Sequence, residues 1–138
     1  MRPGERIHHN DFTPLVIDMI SESIQTVHDC NILHCDIRPP NILKFSDTEY
    51  QLIDFGLSRT ISSDACTSIV SLKPGDGQRE ATGFRIKKKA NEYPDSEINV
   101  HWTTLDDWQM LIQLLSVALN QKDHQQELHQ RKKRKTHS

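Results

Sequence analysis

Asp36 and Asn41 lie five residues apart in the run His34-Cys35-Asp36-Ile37-Arg38-Pro39-Pro40-Asn41, and Asp54 opens an Asp-Phe-Gly triplet eighteen residues after Asp36. Phosphoryl transfer requires a carboxylate to orient an accepting hydroxyl, plus a carboxylate and an amide to hold Mg²⁺ on nucleotide phosphates. Asp36, Asp54 and Asn41 are groups of those types. The elements that must position them are short. Ile42-Leu43-Lys44-Phe45 and Tyr50-Gln51-Leu52-Ile53 are strand-like runs flanking a polar turn at Ser46-Asp47-Thr48-Glu49. That pattern predicts a hairpin with Asn41 and Asp54 side by side at its mouth, where one cation could touch both. Asp36 ends the preceding segment, which starts at Asn31. Asp and Asn also cap turns; the joint spacing is what favours chemistry over capping.

These residues resemble the catalytic core of the eukaryotic-type protein kinase superfamily, whose signatures are H-R-D-L-x-x-x-N and D-F-G. The resemblance implies that Asp36 is the catalytic-loop carboxylate. It also implies that Asn41 and Asp54 bind Mg²⁺ and, through it, ATP, while His34, Phe55 and Gly56 support the loop. Arg38 stands where serine/threonine kinases usually carry the Lys that contacts the transferring phosphate. Arg keeps the charge but binds oxyanions through a planar fork. Pro39 after it favours serine/threonine-type hydroxyl acceptors. Cys35 occupies the position where the family often has an Arg that clamps a phosphorylated segment, so the chain resembles members that do without that clamp.

Thr13-Pro14 reads as a helix start, with a capping hydroxyl before a first-turn proline. Leu15, Val16, Met19, Ile20, Ile24 and Val27 then recur at helical spacing through Cys30, opposite Asp18, Glu22 and Gln25. Residues 57–100 are polar and too long for an ordinary connection, hence functional or disordered. By the resemblance they form the activation segment, with Ser58, Thr60, Ser62, Ser63, Thr67, Ser68 and Ser71 as candidate phosphoacceptors. Gly83-Phe84-Arg85-Ile86-Lys87-Lys88 is the nearest counterpart of the family's Ala-Pro-Glu approach, without its ending. A further helix is expected from Thr104, read as its cap, to Leu119. Its apolar residues Trp108, Leu111, Ile112, Leu115, Val117 and Leu119 leave little polar face and predict burial. Asp106-Asp107-Trp108 is similar to the family's Asp-x-Trp helix start, which implies that Asp106 hydrogen-bonds the catalytic-loop backbone.

The expected fold is therefore mainly α with a small β-hairpin, a partial protein kinase-like C-lobe over residues 1–120. Residues 121–138 read as a disordered polar and basic tail. The five glycines, Gly4, Gly56, Gly75, Gly77 and Gly83, never make G-x-G-x-x-G, and no Val-Ala-Ile-Lys strand precedes Asp36. N-lobe and last C-lobe helices thus have no counterpart in these residues, and the chain alone is expected to be an incomplete or inactive kinase. Two alternatives stand beside a protein kinase. One is an atypical or small-molecule kinase, since Leu52 to Ser58 also resembles small kinases of tRNA modification; the other is a pseudokinase or fragment acting as a binding module.

Expected partners are a protein substrate, or a protein supplying the missing lobe. Cys30, Cys35 and Cys66 have neither disulfide-framework nor zinc-site spacing. No apolar run is long enough for a membrane span or a signal core. A net charge of -2, with no aromatic residue among Arg131 to Lys135, gives nucleic-acid stacking no support. An intracellular protein is expected, cytoplasmic or, through that basic cluster, nuclear.

Overall fold

In the computed structural model, residues 4–61 and 67–136 are described, without the side chains of residues 122–127 and 129–136. Ser62, Ser63, Cys66 and the side chains of Arg131 to Lys135 therefore lie outside the described residues. Helix predominates as expected, but strand is spread over three small sheets rather than one hairpin.

Helix α1 (Pro14–Asp29) begins as the sequence predicts: Thr13 is extended, and its Oγ1 accepts the Val16 N–H at 3.3 Å. Val16, Ile20, Ile24 and His28 repeat every fourth residue and are buried, while Asp18, Glu22 and Gln25 face out. Leu15, in the first turn, is instead exposed. The helix ends at Cys30, and Asn31 reverses the chain at φ 60, a left-handed conformation that Asn tolerates better than most residues.

Strand β1 (Glu5–Arg6) precedes α1, and β2 (Ile32–Leu33) follows it. The predicted hairpin forms from β3 (Ile42–Ser46) and β4 (Glu49–Leu52), with Ile42 opposite Leu52, and β1 adds along the outside of β3. Strand β5 (Arg59–Thr60) pairs with β2, so the chain after Gly56 returns beside the segment that carries Asp36.

Residues 57–100 are not a structureless loop. Strand β6 (Ser68–Leu72) pairs antiparallel with β7 (Ile98–Trp102), from Ser68 opposite Trp102 to Leu72 opposite Ile98. Between them lie α2 (Gly77–Glu80) and α3 (Phe84–Glu92). Val70, Leu72, Ile98, Val100 and Trp102 alternate inward and join α1 residues in the core. Arg79 ties the excursion together. Its guanidinium is buried, has no carboxylate partner among the described residues, and donates to the Leu72, Ala90, Tyr93 and Ser96 carbonyls at 2.6–3.2 Å. Two of those carbonyls belong to the C-terminal end of α3, where the helix dipole favours a cation.

Helix α4 (Thr104–Thr136) continues past Leu119, where the apolar run ends and a disordered tail was expected; Gln, Lys, Glu and Arg are good helix formers and extend it. Thr103, not Thr104, precedes its first turn. Its N–H donates to Asp106 Oδ2 at 2.8 Å, which satisfies the backbone at the helix start. Burial is one-sided: Asp107, Met110, Leu111, Leu114 and Ala118 are covered, whereas Leu105, Ile112, Val117 and Leu119 are exposed. The expectation of an all-round buried helix is corrected accordingly. Among the described residues, no helix is long and apolar enough to cross a membrane.

Candidate functional site

The site is organised by two non-glycine residues in left-handed conformations, Cys35 at φ 68 and Asp54 at φ 59. Such backbone is costly and persists where neighbours over-determine it. Cys35 is fully buried and held from both sides. Its N–H donates to Asp107 Oδ1 at 2.9 Å, and its carbonyl accepts from Gln78 Nε2 at 2.7 Å. Burial, with the Asp107 carboxylate nearby, raises the pKa of the Cys35 thiol and disfavours the thiolate.

His34 links the two left-handed residues. Its N–H donates to Asp107 Oδ2 at 2.8 Å, and its Nδ1 accepts the Asp36 N–H at 3.1 Å. Nε2 therefore carries the ring proton and donates to the Ile53 carbonyl at 2.9 Å, immediately before Asp54. The Phe55 ring meets His34 edge-on, with centroids 4.9 Å apart. Both imidazole nitrogens are spent on the backbone, so the ring orients two chain segments rather than exchanging protons.

Asp36 is 4% exposed, and both of its carboxylate oxygens have partners. Arg38 Nε donates to Oδ1 at 2.7 Å, and Asn41 Nδ2 donates to Oδ2 at 2.8 Å and also to the Asp36 carbonyl at 2.8 Å. A 3₁₀ turn over Pro39–Asn41, its backbone stiffened by two prolines, brings Asn41 back to Asp36. Gly77, the first residue of α2, lies against the Arg38 guanidinium so closely that a Cβ there would collide with it. Arg38 is thus confined between Asp36 and α2.

The hairpin delivers Asp54 to the same region. The Ile53 N–H donates to the Asn41 carbonyl at 2.8 Å, extending the β3–β4 ladder by one step. Asp54 is exposed, and its Oδ1 accepts the Gly56 N–H at 3.2 Å. Because Asn41 spends its amide nitrogen on Asp36, its oxygen is the atom left to face a cation. An amide oxygen and a carboxylate are hard donors, the kind Mg²⁺ takes, so these residues fit the metal implied by the resemblance.

One expected residue sits elsewhere. Asp106 does not reach the catalytic-loop backbone; it accepts from Arg85 Nη2 at 2.5 Å and from Thr103. Asp107 makes the loop contacts instead. Its carboxylate receives the His34 and Cys35 N–H groups, Trp102 Nε1–H at 2.9 Å, and a contact from His28 Nε2 at 2.8 Å. The signal that separates the two is helical phase. Asp107 lies three, four and seven residues before Met110, Leu111 and Leu114, at the centre of the buried stripe of α4, whereas Asp106, also buried, lies at the edge of that stripe against Thr103 and Arg85. Gln78 has no comparable sequence signal, because its role depends on where β6 places α2.

A protein kinase domain family model matches residues 5–74, just over half of the chain. The chain belongs to the protein kinase domain family. It is similar to mitogen-activated protein kinase kinase 8 of Arabidopsis thaliana, at 32% identity over 85 residues, covering 57% of this chain and 28% of that protein. It is also similar to serine/threonine-protein kinase KDX1 of Saccharomyces cerevisiae, at 30% identity over 64 residues, covering 46% of this chain and 14% of that protein. Mitogen-activated protein kinase pmk-3 of Caenorhabditis elegans is 29% identical over 58 residues, covering 42% and 12% respectively. The chain spans less than a third of each of these relatives.

Proposed function

We propose that the chain carries the catalytic-loop and metal-binding part of a protein kinase C-lobe, serving transfer of the ATP γ-phosphate to a protein serine or threonine hydroxyl. The observation that carries this reading is the hydrogen-bonded set Asp36, Arg38 and Asn41, joined through His34 and Ile53 to Asp54. A relative named as a serine/threonine-protein kinase supports the acceptor type.

In this account the Asp36 carboxylate accepts a hydrogen bond from the acceptor hydroxyl and orients its oxygen. Arg38 lies beside it to offset charge on the phosphoryl group. Asn41 and Asp54 would hold Mg²⁺, which when bound neutralises charge on the nucleotide phosphates. The 138 residues contain no Gly-rich loop or strand Lys to grip those phosphates. The inference is that transfer by this chain alone is slow, and that a further polypeptide segment or partner completes the cleft.

Transfer is tested with γ-labelled Mg·ATP and a protein acceptor rich in serine and threonine. Asp36→Asn should reduce any labelling by about 10²–10⁴-fold; because its amide N–H₂ would face a donor of Arg38 or Asn41, the variant is compared with the parent at a temperature where melting curves show both folded. Undiminished labelling in that variant, or label accumulating only on a small molecule, would contradict the assignment.

A further inference from the structure

Helix α3 presents three faces, and two of them are occupied. Ile86 and Ala90 are buried in the core. Arg85 and Lys89 turn toward β7: Arg85 pairs with Asp106 and donates to the His101 carbonyl at 2.8 Å, and Lys89 donates to the Asn99 carbonyl at 2.7 Å. Phe84, Lys87, Lys88 and Asn91 fall at helical spacing on the third face, whose side chains make no hydrogen bond or ion pair among the described residues. Phe84 is 82% exposed, and neither lysine makes an ion pair or hydrogen bond among the described residues. With Gln113 of α4, this face lines an open groove of about 480 Å³.

That groove is not isolated. Gln113 also lines an adjoining cavity of about 380 Å³, whose other walls include Arg38, Pro39, Gly77 and Glu80. An extended chain lying over Lys87 and Lys88 would pass Gln113 and arrive at Arg38, the residue bonded to Asp36. The chemistry of the track selects its occupant. Two unpaired ammonium groups beside an exposed aromatic ring suit carboxylates flanking an apolar side chain, and the Asn91 and Gln113 amides can bond a peptide backbone. Glu80 and Glu92 border the track, so a continuous polyanion such as RNA meets repulsion at both ends.

We propose that the α3–α4 groove docks an acidic polypeptide segment anchored on Phe84, Lys87 and Lys88, and that the same segment carries the accepting hydroxyl to Asp36. The second clause rests on the kinase reading above. The first does not. Binding is therefore read separately from transfer, by fluorescence anisotropy of labelled peptides with the whole chain. One peptide has Asp and Glu around a central Leu-Ser; a second has Asn and Gln in place of the acids.

The acidic peptide should bind, and more weakly as salt rises, with the neutral peptide at least about tenfold weaker. Lys87→Glu with Lys88→Glu, and separately Phe84→Ala, should each lower affinity for the acidic peptide by about tenfold or more. These side chains lie at the surface, so the melting temperature should stay within a few degrees. Equal affinity for both peptides, no binding, indifference to charge reversal, tighter binding of a single-stranded RNA of equal charge, or burial of the groove by self-association would each overturn the docking proposal. Intact docking with labelling undiminished in Asp36→Asn would overturn only the kinase reading, whereas Asp36-dependent transfer without docking would overturn only the groove.

Discussion

Asp107 receives the backbone of His34 and Cys35 and the Trp102 indole, so it fixes the conformation from which Asp36 projects. Replacing it by Asn puts an amide N–H₂ where two acceptor positions are required and leaves buried donors unpaired. A loss of about 3 kcal/mol in folding stability is expected from chemical denaturation. Asp106 is buried too, but Asn keeps one acceptor for Thr103, and Arg85, about half exposed, can turn to solvent, so Asp106→Asn should cost less, about 1–2 kcal/mol. The reverse order would mean that Asp106 supports the loop after all. At this scale the structure shows Asn41 hydrogen-bonded to Asp36 and the backbone of Ile53, next to Asp54, bonded to Asn41 and His34. Asp106 was chosen over Asp107 because a linear Asp-x-Trp template ignores helical phase, which only the buried stripe of α4 defines.

Elements differ in how far their local patterns carry. Helix α1 was legible from its cap, its first-turn proline and its four-residue apolar repeat. The β3–β4 hairpin was legible from two strand-like runs around a polar turn. Strands β6 and β7 were not, although Ile98-Asn99-Val100-His101-Trp102 alternates with period two, because each strand finds its partner only across the excursion that holds α2 and α3. The hairpin also offers a pH test. Lys44 on β3 donates to Asp11 Oδ1 at 3.0 Å, and the His8 N–H donates to Asp11 Oδ2 at 2.7 Å. Burial alone would raise the Asp11 pKa, but these two donors outweigh it and leave it lowered. The folded chain therefore binds this proton less tightly than the unfolded chain. The stabilisation is complete above the ordinary carboxyl value of about 3.9 and is lost as pH falls through the lower folded value. Urea midpoints of the parent and Asp11→Asn should be separated at neutral pH and converge in acid. A gap that stays constant with pH would remove the charge-based explanation.

The whole molecule joins α1, the β6–β7 pair and one side of α4 in a single core, and the segment carrying Asp36 is threaded into it through Leu33, Cys35, Ile37 and Ile42. The outward side of α4 keeps Leu105, Ile112 and Leu119 exposed, which the apolar composition of that helix did not reveal, because composition counts residues without assigning them to a side. The proposed function requires Asn41 and Asp54 to form one cation-dependent nucleotide site. Its most direct test is thermal unfolding of the chain with ATP, with and without Mg²⁺, for the parent and Asp54→Asn. A ligand bound only by the folded state stabilises it by about 2.7 kcal/mol at a hundredfold excess over its dissociation constant. The account predicts a rise in melting temperature that requires Mg²⁺ and disappears in Asp54→Asn. Superimposable curves with and without Mg²⁺, or a rise of equal size in the variant, would contradict it.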